Sequence, residues 1–233
     1  MFRQLLEQRF PNAGSRNAPL MHSHDIGATD TPLIEATIGD HFDAVANQSP
    51  DKEALFSRHQ NIRLTYRQLQ QQANQLASSM IKMGLEKGDR VGIWSHNNAE
   101  WLLMQLATAK AGIILVNINP AYRISELEYA LNKVDCKVLV FMRHFKTSDY
   151  VQMVQQMAPE MCHQSYECLE LSTLPNLKRL IWIDSPENEE SYGFMQKFSD
   201  WLAEGDSQDL KLAERQSQLD ANDPINIQFT SGT

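Results

Sequence analysis

The feature that most constrains the fold is an alternation of short apolar segments with helical patterns, from about residue 91 onward. The apolar segments are strand-sized: "VGIWS" (91–95), "IILVNI" (113–118), "CKVLVFM" (136–142), "LKRLIWID" (177–184) and "INIQF" (225–229). Strands that are apolar throughout and alternate with helices are typical of a parallel sheet covered on both faces. Short, right-handed connections make such a sheet doubly wound. The sequence therefore predicts an α/β fold with a doubly wound, mostly parallel sheet and flanking helices over residues 88–230.

Helical patterns fill the gaps between these strands. The almost wholly apolar segment 98–112 ends at Gly112, and further helices are expected in "SDYVQMVQQMAP" (148–159) and "FMQKFSDWLAEG" (194–205). Residues 124–129 combine a capping box with a hydrophobic staple, which predicts a helix that begins at about Glu126. Each predicted helix follows one strand and precedes the next, as the doubly wound fold requires.

A smaller unit precedes the sheet. Thr37 can cap a helix that Pro50 stops, and "EALFS" (53–57) and "IRLTY" (62–66) predict a small N-terminal β-hairpin joined by "RHQN". Thr65 and Gln68 have the spacing of a capping box at the start of the next helix. Residues 1–36 show little periodicity. We therefore expect an irregular leader over 1–36 and one domain over 37–233.

Composition narrows the function classes. Apolar residues make up 42% of the 233 residues and charged residues 21%, which predicts a packed core, and the net charge of −8 argues against a nucleic-acid or anionic-membrane surface. No apolar run is long enough for a transmembrane segment. The three cysteines are sparse and lack a CxxC pair, so we expect free thiols, no metal site and a cytoplasmic protein. The arginine-bearing first 20 residues leave the mitochondrial matrix as an alternative location.

The segment with the clearest chemistry is "FTSGT" (229–233), directly after the last predicted strand. Ligands of open α/β sheets bind at the carboxyl ends of the strands. The hydroxyls of Thr230, Ser231 and Thr233 can donate hydrogen bonds to phosphate, and Gly232 lets the backbone approach it closely. The segment is not a Walker loop, because GxxxxGK[ST] is absent, and an ordinary turn would have the same composition.

Three stretches in order resemble the signatures of the adenylate-forming superfamily, which includes acyl-CoA synthetases, peptide-synthetase adenylation domains and luciferases. They are "LTYRQL" (64–69), "LATAKAGIILVNINPAYRISELEYAL" (106–131) and "FTSGT" (229–233), which opens the third signature. Within the second stretch, "VNINP" (116–120) is similar to the acyl-CoA ligase form, and the likeness is closest to medium- and long-chain fatty acyl-CoA synthetases. It covers nearly the whole chain from residue 35.

This resemblance implies an ATP-dependent ligase that uses Mg²⁺ and coenzyme A. Its fatty acid, or another small carboxylate, attacks the α-phosphorus of ATP and displaces pyrophosphate, which leaves an acyl-adenylate. The thiol of coenzyme A then attacks the activated carbonyl and displaces AMP. It also implies that Thr230, Ser231, Gly232 and Thr233 form the ATP phosphate loop, and that Arg143 and Lys146 can contact the coenzyme A nucleotide. The family's catalytic and metal-binding residues would follow position 233, so no residue here is assigned to either role.

The resemblance leads to an expectation about how complete the enzyme is and to alternative functions. We expect the chain to be the N-terminal portion of a longer enzyme, an incomplete N-terminal domain of the adenylate-forming fold that is cut within its phosphate loop, and to be inactive alone. The alternatives are another adenylate-forming enzyme or a non-enzymatic remnant that serves as an interaction domain. A doubly wound nucleotide binder unrelated to adenylation is disfavoured by the three ordered signatures. Oligomeric state and acyl chain length are not encoded in any of these features.

Overall fold

A computed structural model describes residues 30–184 and 190–230, so residues 1–29 of the predicted leader and residues 231–233 of the predicted phosphate loop lie outside it. The chain divides into two compact units, Met1–Ile34 and Glu35–Thr233, and the fold described below is that of the second unit. In the part of the chain that is described, no helix has the length and apolar character needed to cross a bilayer.

The elements alternate along the chain much as the patterns predict. The helices are α1 (Ile38–Gln48), α2 (Tyr66–Lys82), α3 (Ala99–Ala111), α4 (Ile124–Lys133), α5 (Tyr150–Met157), α6 (Phe198–Ala203) and α7 (Leu210–Gln216), with a 3₁₀-helix at Pro159–His163. The strands are β1 (Glu53–Ser57), β2 (Ile62–Thr65), β3 (Arg90–Trp94), β4 (Ile114–Ile118), β5 (Val138–Met142), β6 (His144–Phe145), β7 (Ser148–Asp149), β8 (Arg179–Ile183), β9 (Gln196–Lys197) and β10 (Asn226–Gln228).

Six strands form one sheet in the order β10–β4–β3–β5–β8–β9, and every neighbouring pair is parallel. Strands β1 and β2 form a separate antiparallel hairpin, and β6 and β7 form a second, very short one. The predicted α/β class, the parallel sheet and the small hairpin at 53–65 are therefore confirmed.

Two apolar layers cover the sheet, because alternate strand residues point to opposite faces. Val138 and Val140 pack in one core cluster with α2 and α3, whereas Leu139 and Phe141 pack in the other with α4 and α5. The crossover from β3 to β4 thus runs over one face and those from β4 to β5 and from β5 to β8 run over the other. This is the doubly wound arrangement, and it brings the strand ends of β3, β4 and β5 together at one edge.

Helix ends are set by local side chains. Thr37 accepts a hydrogen bond from the Asp40 N–H at 3.0 Å, and Thr65 and Gln68 form the predicted reciprocal capping box. Asn98 caps α3 by accepting from the Trp101 N–H at 2.8 Å. Gly112 ends that helix with φ 71°, a left-handed conformation that favours glycine.

Helix α4 begins two residues earlier than expected. Its first residue is Ile124, because the Glu126 carboxylate reaches back and accepts a hydrogen bond from the Arg123 N–H at 2.9 Å. That contact places Glu126 at the third helical position, so Arg123, rather than Ser125, stands at the cap.

The helix expected over 194–205 is also shorter. Gln196 and Lys197 instead pair with Ile181 and Trp182 of β8 as a parallel edge strand, and α6 starts only at Phe198. Phe194 packs in the core cluster on the α4 and α5 face, whereas Phe198 packs in the cluster on the opposite face. Residues four apart on one continuous helix lie on the same face, so such a helix could not place the two rings in opposite clusters. Pairing with β8 therefore decides the structure of residues 196–197, although the local spacing favours a helix.

Candidate functional site

The candidate site is the edge of the sheet where the parallel strands end. In the ladder, Asn117 of β4 lies beside Gln228 of β10 and Ile93 of β3, and Trp94 lies beside Phe141 of β5. The residues that follow these strands therefore line one edge, and they are Thr230, Asn119, Ser95, His96 and Arg143. This is the place where open α/β sheets bind their ligands.

Thr230 is the one residue of the predicted phosphate loop that the structure describes. It is exposed and follows β10, whose position is fixed by pairing with β4 and by a hydrogen bond from the Leu115 N–H to the Ile225 carbonyl oxygen at 3.0 Å. Ser231, Gly232 and Thr233 lie outside the described residues. The assignment of all four residues to ATP phosphates stays a prediction, for which the accessible hydroxyl of Thr230 at a strand's carboxyl end is a suitable start.

Two buried aromatic side chains hold the loop after β4 through hydrogen bonds to its backbone. Trp94 and Tyr150 stack with their centroids 3.5 Å apart and their planes 8° apart. The Trp94 indole N–H donates to the Asn119 carbonyl oxygen at 3.2 Å, and the Tyr150 hydroxyl donates to the Pro120 carbonyl oxygen. Burial raises the pKa of Tyr150, so the hydroxyl keeps its proton as a donor. The complete burial of Trp94 makes it a core residue rather than a pocket wall.

Asn119 and Asn117 have structural contacts. The Asn119 side-chain oxygen accepts from the Ala121 N–H at 2.9 Å, which forms a turn ahead of α4. The Asn117 amide donates to the Gln228 side-chain oxygen at 3.5 Å, a contact between β4 and β10. These bonds make both residues part of the scaffold beside Thr230.

Arg143 and Lys146, the predicted coenzyme A contacts, lie in different surroundings. Arg143 forms an ion pair with Glu190 and donates to the Tyr192 hydroxyl at 3.0 Å. Lys146 is exposed in the turn of the β6–β7 hairpin, has φ 53°, and its Nζ lies 5.3 Å from the Phe145 ring centroid. Lys146 is therefore accessible to a ligand, whereas Arg143 would have to share its guanidinium with Glu190. Their role stays a prediction.

A polar network at the end of β3 was not predicted from the sequence. Asn98 donates to the Ser95 hydroxyl at 2.9 Å, and the side-chain oxygen of Gln60 accepts from the Ala99 N–H at 2.8 Å. The Gln60 amide also donates to Glu100 at 2.7 Å. The tip of the β1–β2 hairpin is thereby fastened to the start of α3. The signal that could have found it is the polar run "SHNN" directly after a buried strand.

The same fastening brings two histidines together. The rings of His59, in the hairpin turn, and His96, after β3, have centroids 5.4 Å apart, and Phe145 lies 6.4 Å from the His96 ring. Burial lowers the pKa of His96, and the neighbouring His59 lowers it further. His96 is therefore largely neutral at pH 7.

The described residues include no cluster of three or more His, Cys, Asp or Glu side chains with the geometry of a metal site. Cys136 is a buried free thiol, and Cys162 and Cys168 are exposed free thiols. The described part of this edge thus offers hydroxyl, amide, imidazole and cationic groups, which suit an anionic ligand, and it supplies no carboxylate set to which Mg²⁺ could be assigned.

Comparison with known proteins identifies the family. The family model "AMP-binding enzyme" matches residues 42–233. The chain belongs to this family. The sequence is also 45% identical over 208 residues to the mouse protein "Medium-chain acyl-CoA ligase ACSF2, mitochondrial", a match that covers 89% of this chain and 33% of the relative. The family and these ligase relatives confirm the resemblance on which the predicted acid–thiol ligase rests.

Two further relatives are more distant. "Putative acyl-CoA synthetase YngI" of Bacillus subtilis is 36% identical over 201 residues, which are 86% of this chain and 36% of that protein. The crystal structure of a long-chain-fatty-acid-CoA ligase (FadD1) from Archaeoglobus fulgidus has a TM-score of 0.65 at 18% identity and covers 91% of this chain and 38% of its own, which supports the fold alone. The chain thus spans about a third of the length of the curated relatives that it matches.

Proposed function

We propose that this chain supplies the amino-terminal part of the adenylating domain of an AMP-forming acyl-CoA ligase that acts on medium-chain fatty acids. The observation that carries the proposal is the 45% identity to a medium-chain acyl-CoA ligase over 89% of the chain. The fold supports it because the predicted phosphate segment follows a parallel strand at the ligand-binding edge of the sheet.

In this reaction ATP supplies the adenylyl group that activates the fatty-acid carboxylate, and coenzyme A supplies the thiol that accepts the acyl group. The part of this chain is to position phosphate. The Thr230 hydroxyl and the loop that follows it would donate hydrogen bonds to phosphate oxygens. The rigid loop at Asn119 and Pro120, braced by Trp94 and Tyr150, keeps β4 and therefore β10 in place. Such prior positioning is a large part of catalysis in phosphoryl-group chemistry.

The experiment is a chimera, because the chain spans only a third of its relatives' length. Residues 35–233 replace the matching segment of the mouse medium-chain ligase, and formation of octanoyl-CoA from octanoate, ATP, Mg²⁺ and coenzyme A is measured. We expect activity within about tenfold of the parent. Thr230→Ala should lower kcat/KM by about 10-fold or more through loss of one phosphate donor. Ser191→Ala, which removes another exposed hydroxyl, is the matched control and should leave the rate unchanged.

The non-enzymatic alternative gives a different result. A remnant that serves only as an interaction domain would fold but give an inactive chimera, and Thr230→Ala would then have nothing to lower. The isolated 233-residue chain is assayed beside it, and we expect no acyl-CoA formation, because the remaining two-thirds of the relatives' length is not supplied.

The coenzyme A contact is a separate part of the proposal. The ammonium of Lys146 is exposed and therefore accessible to a ligand phosphate, whereas Arg143 is engaged by Glu190 and Tyr192. In the chimera, Lys146→Ala should raise the KM for coenzyme A without a change in the KM for ATP. Lys133→Ala, an exposed lysine on α4, is the control. Equal KM values for coenzyme A in both variants would exclude the contact.

Location completes the proposal. We keep the cytoplasm as the proposed location and the mitochondrial matrix as the alternative. The name of the mouse relative includes the word "mitochondrial", which gives the location of that protein and is the reason to test the alternative. A reporter fused to residues 1–36 and expressed in mammalian cells distinguishes the two. Import of the reporter into mitochondria would favour the alternative.

A further inference from the structure

Two imidazole rings and a thioether lie together near the end of β3. His59 lies in the turn of the β1–β2 hairpin, His96 follows β3, and Met142 ends β5. The His96 Nδ1 lies 2.8 Å from the Met142 Sδ, and the two imidazole centroids are 5.4 Å apart with their planes at 44°. The pairing of β3 with β5 brings His96 beside Met142, and the hydrogen bonds from Gln60 to the start of α3 bring the hairpin turn with His59 beside His96.

The three side chains are carried by fixed backbone. Gln60 fastens the hairpin turn to the start of α3 through its bonds to the Ala99 N–H and to Glu100. His96 and Met142 extend from adjacent strands that pair through Trp94 and Phe141. A site whose ligands are already in place loses little conformational entropy when an ion binds.

The hydrogen-bond pattern leaves an imidazole nitrogen available. The His59 Nδ1 lies 3.5 Å from the hydroxyl of the buried Ser57, the kind of outer partner that orients a metal-binding histidine. Among residues 30–184 and 190–230, no other hydrogen bond engages the His59 ring, so its Nε2 is available to bind an ion.

We propose that His59, His96 and Met142 form a binding site for a soft monovalent metal ion, Cu(I) in the first place. Thioether sulfur selects Cu(I) over harder cations, and imidazole is a common copper ligand. Imidazole binds a metal through an unprotonated nitrogen and a thioether carries no charge, so this set of ligands suits a single positive charge. Two imidazoles that share one ion through bonds of about 2.0–2.1 Å have ring centroids about 5 Å apart, close to the spacing seen here. Met142 has a flexible side chain that can adjust its sulfur to the ion.

The test is an anaerobic titration with Cu(I) in competition with bicinchoninate. The protein carries Cys162→Ser, Cys168→Ser, His22→Gln and His24→Gln, so that exposed thiols and the histidines near the amino terminus do not bind the metal. We expect one Cu(I) per chain, and an affinity that falls by at least 10-fold in His59→Gln, His96→Gln and Met142→Leu. His144→Gln and Met83→Leu, which alter residues outside the cluster, are matched controls and should change it less than twofold.

A second measurement reports the site directly. In protein labelled with ¹³C-methyl methionine, titration with Ag(I), a diamagnetic analogue of Cu(I), should shift the signal that Met142→Leu removes. His59→Gln alters an exposed turn residue, so its effect on binding is separable from any effect on folding. Cu(I) affinity unchanged in the three variants, an Ag(I)-induced shift confined to other methionines, or selective binding of Zn(II) over Cu(I) at these residues would each overturn the proposal.

Discussion

The ion pair between Lys110 and Asp43 gives the sharpest prediction of stability. Lys110, on α3, has a side chain that is 0% exposed, and its ammonium contacts the carboxylate of Asp43 on α1, whose side chain is 26% exposed. Asp43 also accepts hydrogen bonds from Gln70 at 2.7 Å and from Gln216 at 3.4 Å. Burial lowers the pKa of Lys110, and the bond to Asp43 partly offsets that shift. The cation is therefore the desolvated partner, and the anion is the better solvated one.

This asymmetry predicts unequal costs. In Asp43→Ala the buried ammonium loses its partner, and breaking a buried pair in this way costs about 3–5 kcal/mol. Because Asp43 is partly exposed and water can reach the gap, we expect about 3 kcal/mol, the lower end. In Lys110→Met the charge is removed while most of the volume is kept, and Asp43 retains Gln70, Gln216 and solvent. The free energy of unfolding of that variant should lie within about 1 kcal/mol of the parent value.

Urea unfolding followed by circular dichroism at pH 7 measures both effects, and the double variant is the control. Asp43→Ala combined with Lys110→Met should recover most of the stability that Asp43→Ala alone loses. The loss in Asp43→Ala should also shrink as the pH is raised towards about 10, because the unfolded lysine then loses its proton as well. A Lys110→Met variant as unstable as Asp43→Ala would refute the assignment of the desolvation cost to the lysine.

Three further predictions follow from single contacts. A Cβ at Gly205 would stand 1.8 Å from the Gln75 carbonyl oxygen, so Gly205→Ala should lower the free energy of unfolding in urea by about 2–3 kcal/mol. Gly193→Ala is the control: a Cβ there has open space around it, so the loss should be less than about 1 kcal/mol. Burial raises the pKa of Cys136 to about 12, so its thiol should not react with Ellman's reagent at pH 8 until the protein is denatured. The two exposed thiols should react rapidly in the folded protein, and three rapidly reacting thiols would contradict the burial of Cys136. Since the pKa of His96 is lower in the folded state, its contribution to stability is complete above about pH 6.5 and is lost as the pH falls below that value. The difference in unfolding free energy between parent and His96→Gln should therefore change between pH 7 and pH 5, and parallel curves would contradict the shift.

Much of the fold was predictable because its signals are local. The capping box at Thr65 and Gln68, the left-handed Gly112 and the hairpin over 53–65 each depend on residues a few positions apart. The edge strand at 196–197 was not predictable in this way, because its ladder partner on β8 lies about 15 residues earlier and the local spacing of Phe194 and Phe198 favours a helix. The same competition between local pattern and tertiary pairing explains why α6 is short.

In the candidate site, too, some residues are predictable from local sequence and others depend on the whole fold. Thr230 could be placed from the sequence, since a hydroxyl and glycine segment that follows a strand marks the ligand edge of a parallel sheet. The cluster of His59, His96 and Met142 could not be predicted from the sequence. It depends on β5 lying beside β3 in the sheet, although β4, and not β3, precedes β5 along the chain. Strand order within a sheet is a property of the whole fold, and no spacing between these three residues encodes it.

The braced loop after β4 shows how the core sets the geometry of this edge. Trp94 is wholly buried, yet its indole N–H holds the Asn119 carbonyl oxygen, and the ring stacked on it belongs to Tyr150, whose hydroxyl holds the next carbonyl oxygen at Pro120. Two consecutive carbonyl groups of a surface loop are thus fixed by rings on β3 and α5, which are rigid elements. Because β10 pairs with β4, the same bracing reaches the strand that precedes Thr230. Substitutions at these two aromatic residues should therefore alter where the hydroxyl of Thr230, the proposed phosphate donor, stands without removing it, which is a loss of positioning rather than of chemistry.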